Sequence, residues 1–133
     1  MIRWSVVSLS ITHRNIRQQL AALQRSGFRS KFRLKTVDRT YIAQKGMDTI
    51  ADHARQFVDT RVADAFPKND GRQTPMRGHP VFIAQHATAT CCRKCMQKWH
   101  GIKKGRALNE TERTFVRDLI MAWIERQLND AFS

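Results

Sequence analysis

A chain of 133 residues suits one domain and is long enough to bury a core without disulfide staples. Hydrophobic residues at 41% and charged residues at 26% exclude wholesale disorder, and no apolar run approaches the ~18 residues of a membrane-spanning helix. Twenty-four Lys and Arg against eleven Asp and Glu leave a net charge of +13. A field of that sign attracts polyanions, so nucleic acid is the expected partner, a membrane is not, and an acidic protein is the alternative. The opening MIRWSVVSLSITHR is too short and polar for a secretory signal. Three cysteines, an odd and small number, argue against a secreted disulfide scaffold, so a reducing cytoplasm is the expected location.

Residues 13–25 read as an amphipathic helix, with Thr12 as a possible cap and Ile16, Leu20 and Leu23 on one face. Ser26-Gly27 closes it. Residues 1–27 thus form an N-terminal extension with a helix, ahead of one helical domain over 28–133. FRSKFRLK, residues 28–35, alternates weakly and reads as a short strand or an extended connector. A helix starts at Thr36 or Asp38, with Val37, Tyr41 and Ile42 inward, and stops at Gly46. A longer helix runs from Met47 or Asp48 to about Phe66, with Ile50, Ala54, Phe57, Val58 and Val62 as its apolar stripe. Pro67 closes it.

The segment PKNDGRQTPMRGHP, residues 67–80, contains every proline and reads as a loop long enough to serve a function. Pro80 opens a helix through PVFIAQHATA. Thr88 or Thr90 can cap a second short helix that ends at Gly101. After the connector IKKGRAL comes the clearest helix, about Asn109 to Leu128. Asn109 and Glu112 have capping-box spacing, and Phe115, Val116, Leu119, Ile120, Trp123 and Leu128 mark its apolar face. The fold class expected is mainly α, a single compact domain of five to six helices with at most a minor strand.

The chemistry concentrates between His79 and His100, which hold all three cysteines and three of the five histidines. Zinc takes four nitrogen or sulfur ligands in a tetrahedron. Cys92 and Cys95 have the two-residue spacing of a thiolate pair, His100 follows the second, and His86 and His79 precede the first. A site of Cys92, Cys95, His100 and either His86 or His79 is expected, with Cys91 in reserve. Arg93, Lys94 and Lys98 beside it would stabilise thiolates. The alternatives are cysteines packed into the core between helices and a redox-active Cys-x-x-Cys at a helix start. No thioredoxin-like pattern surrounds the pair, and Met96 stands where c-type haem attachment needs His.

Enzyme templates fit poorly. Zinc deaminases need His-x-Glu, but Ala87 and Thr88 follow His86, and no acid occurs between Gly71 and Asn109. Asp70 or Glu112 would have to supply a general base. No Gly-x-Gly-x-x-Gly, phosphate-binding loop or nucleophile elbow is present. His13 and His53 read as ordinary helix residues. Trp4, Trp99 and Trp123 read as packing residues, with base stacking by Trp99 as a lesser possibility.

The basic residues fall in two segments. One spans Arg29, Lys31, Arg33 and Lys35, and the other Arg93, Lys94, Lys98, Lys103, Lys104 and Arg106. If the fold joins them they form one phosphate-binding face; otherwise they are two solvated stretches.

The runs TPMRGHPVF, QHATATCCR, KWHGI and KG resemble the signature of an uncharacterised bacterial and prophage family, the domain of unknown function four-one-eight-six. FRSKFRLKTVDRTYIAQKGMDTIADHA and VRDLIMAWIERQL also fit. The resemblance spans about Phe28 to Leu128 and implies no assigned activity. The residues themselves imply a basic helical module that binds nucleic acid and carries a structural zinc. Two alternatives stand beside it. One is a metal-dependent hydrolase or nuclease using the His79–His100 cluster, with the 67–80 loop as a lid. The other is a protein-binding accessory module with core cysteines.

Overall fold

The computed structural model describes residues 16–130. These hold six α-helices and no strand, so the mainly helical expectation is correct. Helix α1 covers 16–24. A single 3₁₀ turn, Arg29–Lys31, follows. Then come α2 (Thr36–Lys45), α3 (Met47–Phe57) with a π turn over Val58–Val62, α4 (Pro80–Ala87), α5 (Arg93–His100) and α6 (Glu110–Asp130). Among the described residues no helix is long and apolar enough to cross a membrane.

Helix α6 is the central strut. Val116, Leu119, Ile120 and Ile124 are fully buried against α4, α3 and the π turn. That spacing is the apolar stripe of a 3.6-residue period. Asn109 and Glu112 close the expected capping box: the Asn109 N–H donates to Glu112 Oε1 at 2.9 Å, and the Glu112 N–H to Asn109 Oδ1 at 2.7 Å. Ile16 and Leu20 of α1 belong to the same core cluster as α3, α4 and α6, which ties α1 to the body of the domain.

Three local expectations change. The third helix stops as an α-helix at Phe57, and the widened π turn carries Val58 and Val62 into the core at zero exposure; residues 63–79 are loop, and Phe66 is 82% exposed. Val37 is also exposed, at 71%. Asp38 is buried instead, because its carboxylate accepts from the Lys35 N–H at 2.9 Å and so caps α2. The 28–35 stretch is a 3₁₀ turn followed by extended chain rather than a strand. The Leu34 N–H donates to Gln127 Oε1 of α6 at 3.0 Å, so its backbone is satisfied by a side chain and not by a sheet.

Candidate metal centre

The turn from α4 to α5 brings the cysteines together. Thr88 Oγ1 donates to the Ala84 carbonyl at 2.7 Å, the Thr90 N–H to the Gln85 carbonyl at 2.8 Å, and the two threonine hydroxyls meet at 3.0 Å. Between them Ala89 takes a left-handed conformation, φ 59°, and is fully buried. An alanine there costs roughly 1 kcal/mol, held by the hydrogen bonds on either side. Neither threonine caps α5. Cys92 does so, its Sγ accepting from the Cys95 N–H at 3.4 Å.

The sulfurs of Cys91, Cys92 and Cys95 lie within 4.8 Å of one another, and all three cysteines are free. Cys91 and Cys92 are buried and Cys95 is half-buried. Arg29 reaches in from the 3₁₀ turn. Its guanidinium donates to Cys95 Sγ at 3.1 Å, Cys91 Sγ at 3.8 Å and the His86 carbonyl at 2.6 Å. Hydrogen bonds from Cys91 and Cys92, joined by Arg29, draw the Cys95 thiol far below the usual range. Hydrogen bonding to Cys92 and Cys95, together with burial, pushes Cys91 up. One thiolate shared among three sulfurs beside a cation is the charge state this geometry favours.

The three histidines expected as ligands stand apart from this group. His100 donates from Nε2 to the Thr88 carbonyl at 2.7 Å, and its Nδ1 meets Gln19 Nε2 at 2.7 Å. Both ring nitrogens are therefore engaged, and burial lowers its pKa. His79 caps α4: Nδ1 accepts from the Val81 N–H at 3.0 Å, and Nε2 meets His53 Nδ1 at 3.0 Å. Its pKa falls to about 4, through burial first and His53 second. His86 lies 3.1 Å from two carbonyls, those of Thr74 and Pro75. A carbonyl only accepts, so Nε2 carries a proton, and Nδ1 makes no hydrogen bond among the described residues. Of the ligands expected for a Cys2His2 or Cys3His site, the fold brings Cys91, Cys92 and Cys95 together, with Cys91 a full member of the group. Helix capping and carbonyl contacts had first claim on the imidazoles.

The long loop seals one side of the group. Thr74 Oγ1 donates to the Cys91 carbonyl at 2.8 Å, and the Arg93 N–H to Asp70 Oδ1 at 3.2 Å. Asp70 also accepts from Gln73 Nε2 at 2.9 Å. A segment held by these bonds is a wall rather than a lid. Glu112, the other carboxylate considered as a base, pairs with Arg106 at 2.6 Å and with the Asn109 N–H.

Two cations expected to meet phosphate are inside. Arg93 is 1% exposed and donates to the Val62, Asp64 and Lys103 carbonyls. Arg29 is 9% exposed and serves the sulfurs. Arg106 is exposed but paired with Glu112. Lys31, Arg33, Lys35, Lys94, Lys98, Lys103 and Lys104 are exposed. Arg39, from the first basic stretch, and Arg126, which the sequence reading missed, share a cleft with Arg29 and Arg33. Helical spacing alone does not reveal this, because the cleft joins elements far apart in the chain.

No solved structure matches this chain. The model of one family, Domain of unknown function (DUF4186), matches residues 17–125. That span runs from α1 into α6 and includes the three cysteines, and the chain belongs to this family.

Proposed function

We propose that the protein is a zinc-stabilised helical module that binds nucleic acid through its phosphate backbone. The observation that carries the metal is the approach of Cys91, Cys92 and Cys95 within 4.8 Å. The donor chemistry fits: three thiolates on a zinc dication leave one net negative charge, and the Arg29 guanidinium beside Cys95 and Cys91 offsets it. Soft thiolates select zinc over magnesium or calcium. The metal would pin the α4–α5 turn to the first turn of α5, and it would supply cross-linking rather than reactivity. His86, whose Nδ1 makes no hydrogen bond among the described residues, is the one of the expected histidines left with a nitrogen for a fourth position.

The nucleic-acid half of the reading rests on the +13 charge and on the eight exposed Lys and Arg of the two basic segments named above. Contacts of that kind give affinity with little sequence readout. A reducing cytoplasm suits free thiols held for a metal.

Metal content of protein purified without added metal tests the centre. About one zinc per chain is expected, falling below about a tenth in Cys92→Ser. Metal-free protein with an unchanged melting curve would return the cysteines to the core reading.

A further inference from the structure

A cleft of about 520 Å³ opens between α1, the 3₁₀ turn with the chain after it, and α6. Its size is that of small-ligand sites. The lining is of two kinds. Leu20, Leu23, Phe32 and Trp123 give an apolar wall, and Arg29, Arg33, Arg39 and Arg126 bring four guanidiniums against the single carboxylate of Asp130.

Arg29 is committed to the cysteine sulfurs and the His86 carbonyl. The other three retain donors. Arg33 spends NH1 on the Ser30 and Phe32 carbonyls, at 2.7 and 2.9 Å. Arg39 spends NH1 on the Gln127 carbonyl at 3.1 Å. These bonds orient both side chains and leave Nε and NH2 of each for another acceptor. Arg126 has no hydrogen-bond or ion-pair partner among the described residues. Several guanidiniums around one opening match the charge and the bidentate geometry of a phosphate. An apolar wall beside them suits a flat ring and not an inorganic ion.

The geometry points to a nucleotide site in this cleft, with the phosphate held by Arg33, Arg39 and Arg126 and the base against Phe32 and Trp123. The phosphate follows from the arginines. The choice of a nucleotide as the ring-bearing ester rests on the nucleic-acid reading above. The same chemistry is offered by a free mononucleotide and by the phosphorylated end of a strand. Occupancy would also be felt at the cysteines, because Arg29 lines the cleft and bonds their sulfurs.

The test is a titration of the full chain, followed by tryptophan fluorescence and calorimetry. The probes are AMP, a 5′-phosphorylated thymidine hexanucleotide, the same strand without its phosphate, and inorganic phosphate. Saturable binding of AMP, or of the phosphorylated strand alone, at one per chain is expected; which of them binds identifies the source. Affinity should fall at least tenfold in Arg33→Ala/Arg126→Ala. Should that variant melt abnormally, Arg33→Ala alone, at an exposed position, should still weaken binding severalfold.

The site is overturned if neither AMP nor the phosphorylated strand binds, if the phosphate-free strand or inorganic phosphate binds as tightly, or if the variants bind like the parent. Duplex retention measured on the same preparation keeps the two readings apart. Duplex held while AMP and the strand end are refused sinks the cleft alone. AMP bound without duplex retention supports the cleft and sinks the backbone-binding surface.

Discussion

Arg93 donates to the carbonyls of Val62, Asp64 and Lys103 from a position 1% exposed. It staples the end of the π turn and the α5–α6 connector to the start of α5. A buried cation needs acceptors, and three carbonyl dipoles supply them. Arg93→Ala removes all three bonds and leaves a void, so a loss of about 3 kcal/mol is expected in urea unfolding. A loss under about 1 kcal/mol would mean that the carbonyls find other partners. His79 carries a pH dependence. Its pKa is about 4 in the fold against an ordinary 6.5, through burial and then His53. Below pH 6.5 the unfolded chain takes a proton that the folded chain refuses until about pH 4. Stability is therefore whole above 6.5 and falls as pH drops through that window. His79 is only half-buried, so roughly 1 to 2 kcal/mol is expected rather than the full linkage value. His79→Gln should flatten thermal stability between pH 7 and 5; an unchanged slope would assign the dependence to other groups.

At the scale of elements, the helix ends explain more than the helix middles. The N-terminus of α6 is exposed and closed by the Asn109–Glu112 box, with Arg106 on the same carboxylate. Asn109→Ala should cost about 1 kcal/mol, read as a lower denaturation midpoint with an unchanged m-value. A cost near zero would show the first turn held by packing alone. Helix α4 begins on proline with a histidine cap, and α5 begins on a cysteine cap. In both cases the capping residue is one that the sequence offers equally well as a metal ligand. His79 went to the helix, and Cys92 serves the helix and the sulfur group together.

Across the whole molecule, the eight cations of the basic segments that stay exposed test the polyanion reading. Lys98, Lys103 and Lys104 are exposed and carry no ion pair among the described residues. Arg106 is a poorer probe, since removing it also unpairs Glu112. A surface engaging about six phosphates loses roughly three decades of duplex affinity between 50 and 200 mM salt. Replacing the three lysines with alanine should reduce the slope of log affinity against log salt by roughly one unit per lysine that touches the backbone. No retention at low salt, or a slope untouched by the replacement, would make the charge a matter of solubility or of an acidic protein partner.

Periodicity and punctuation carried the architecture. The α6 stripe, the stops at Gly46 and Gly101, the proline start of α4 and the Asn109 box are local facts, written in residues a few positions apart, and folding left them in place. The cysteines were legible for the same reason, since Cys91, Cys92 and Cys95 fall within one turn and its cap. The histidines were not. Whether an imidazole faces a metal depends on which carbonyl or amide reaches it first, and Thr74, Pro75 and Gln19 arrive from distant parts of the chain. The basic segments divide the same way. Sequence shows that Arg29 and Arg93 are cations. Only the packing of the 3₁₀ turn against the cysteines, and of α5 against the π turn, takes those two out of solvent and leaves Arg33, Arg39 and Arg126 around a cleft. Short-range chemistry determined the helices and the thiol cluster, whereas the competition among distant polar groups for the same partners was decided by the tertiary fold.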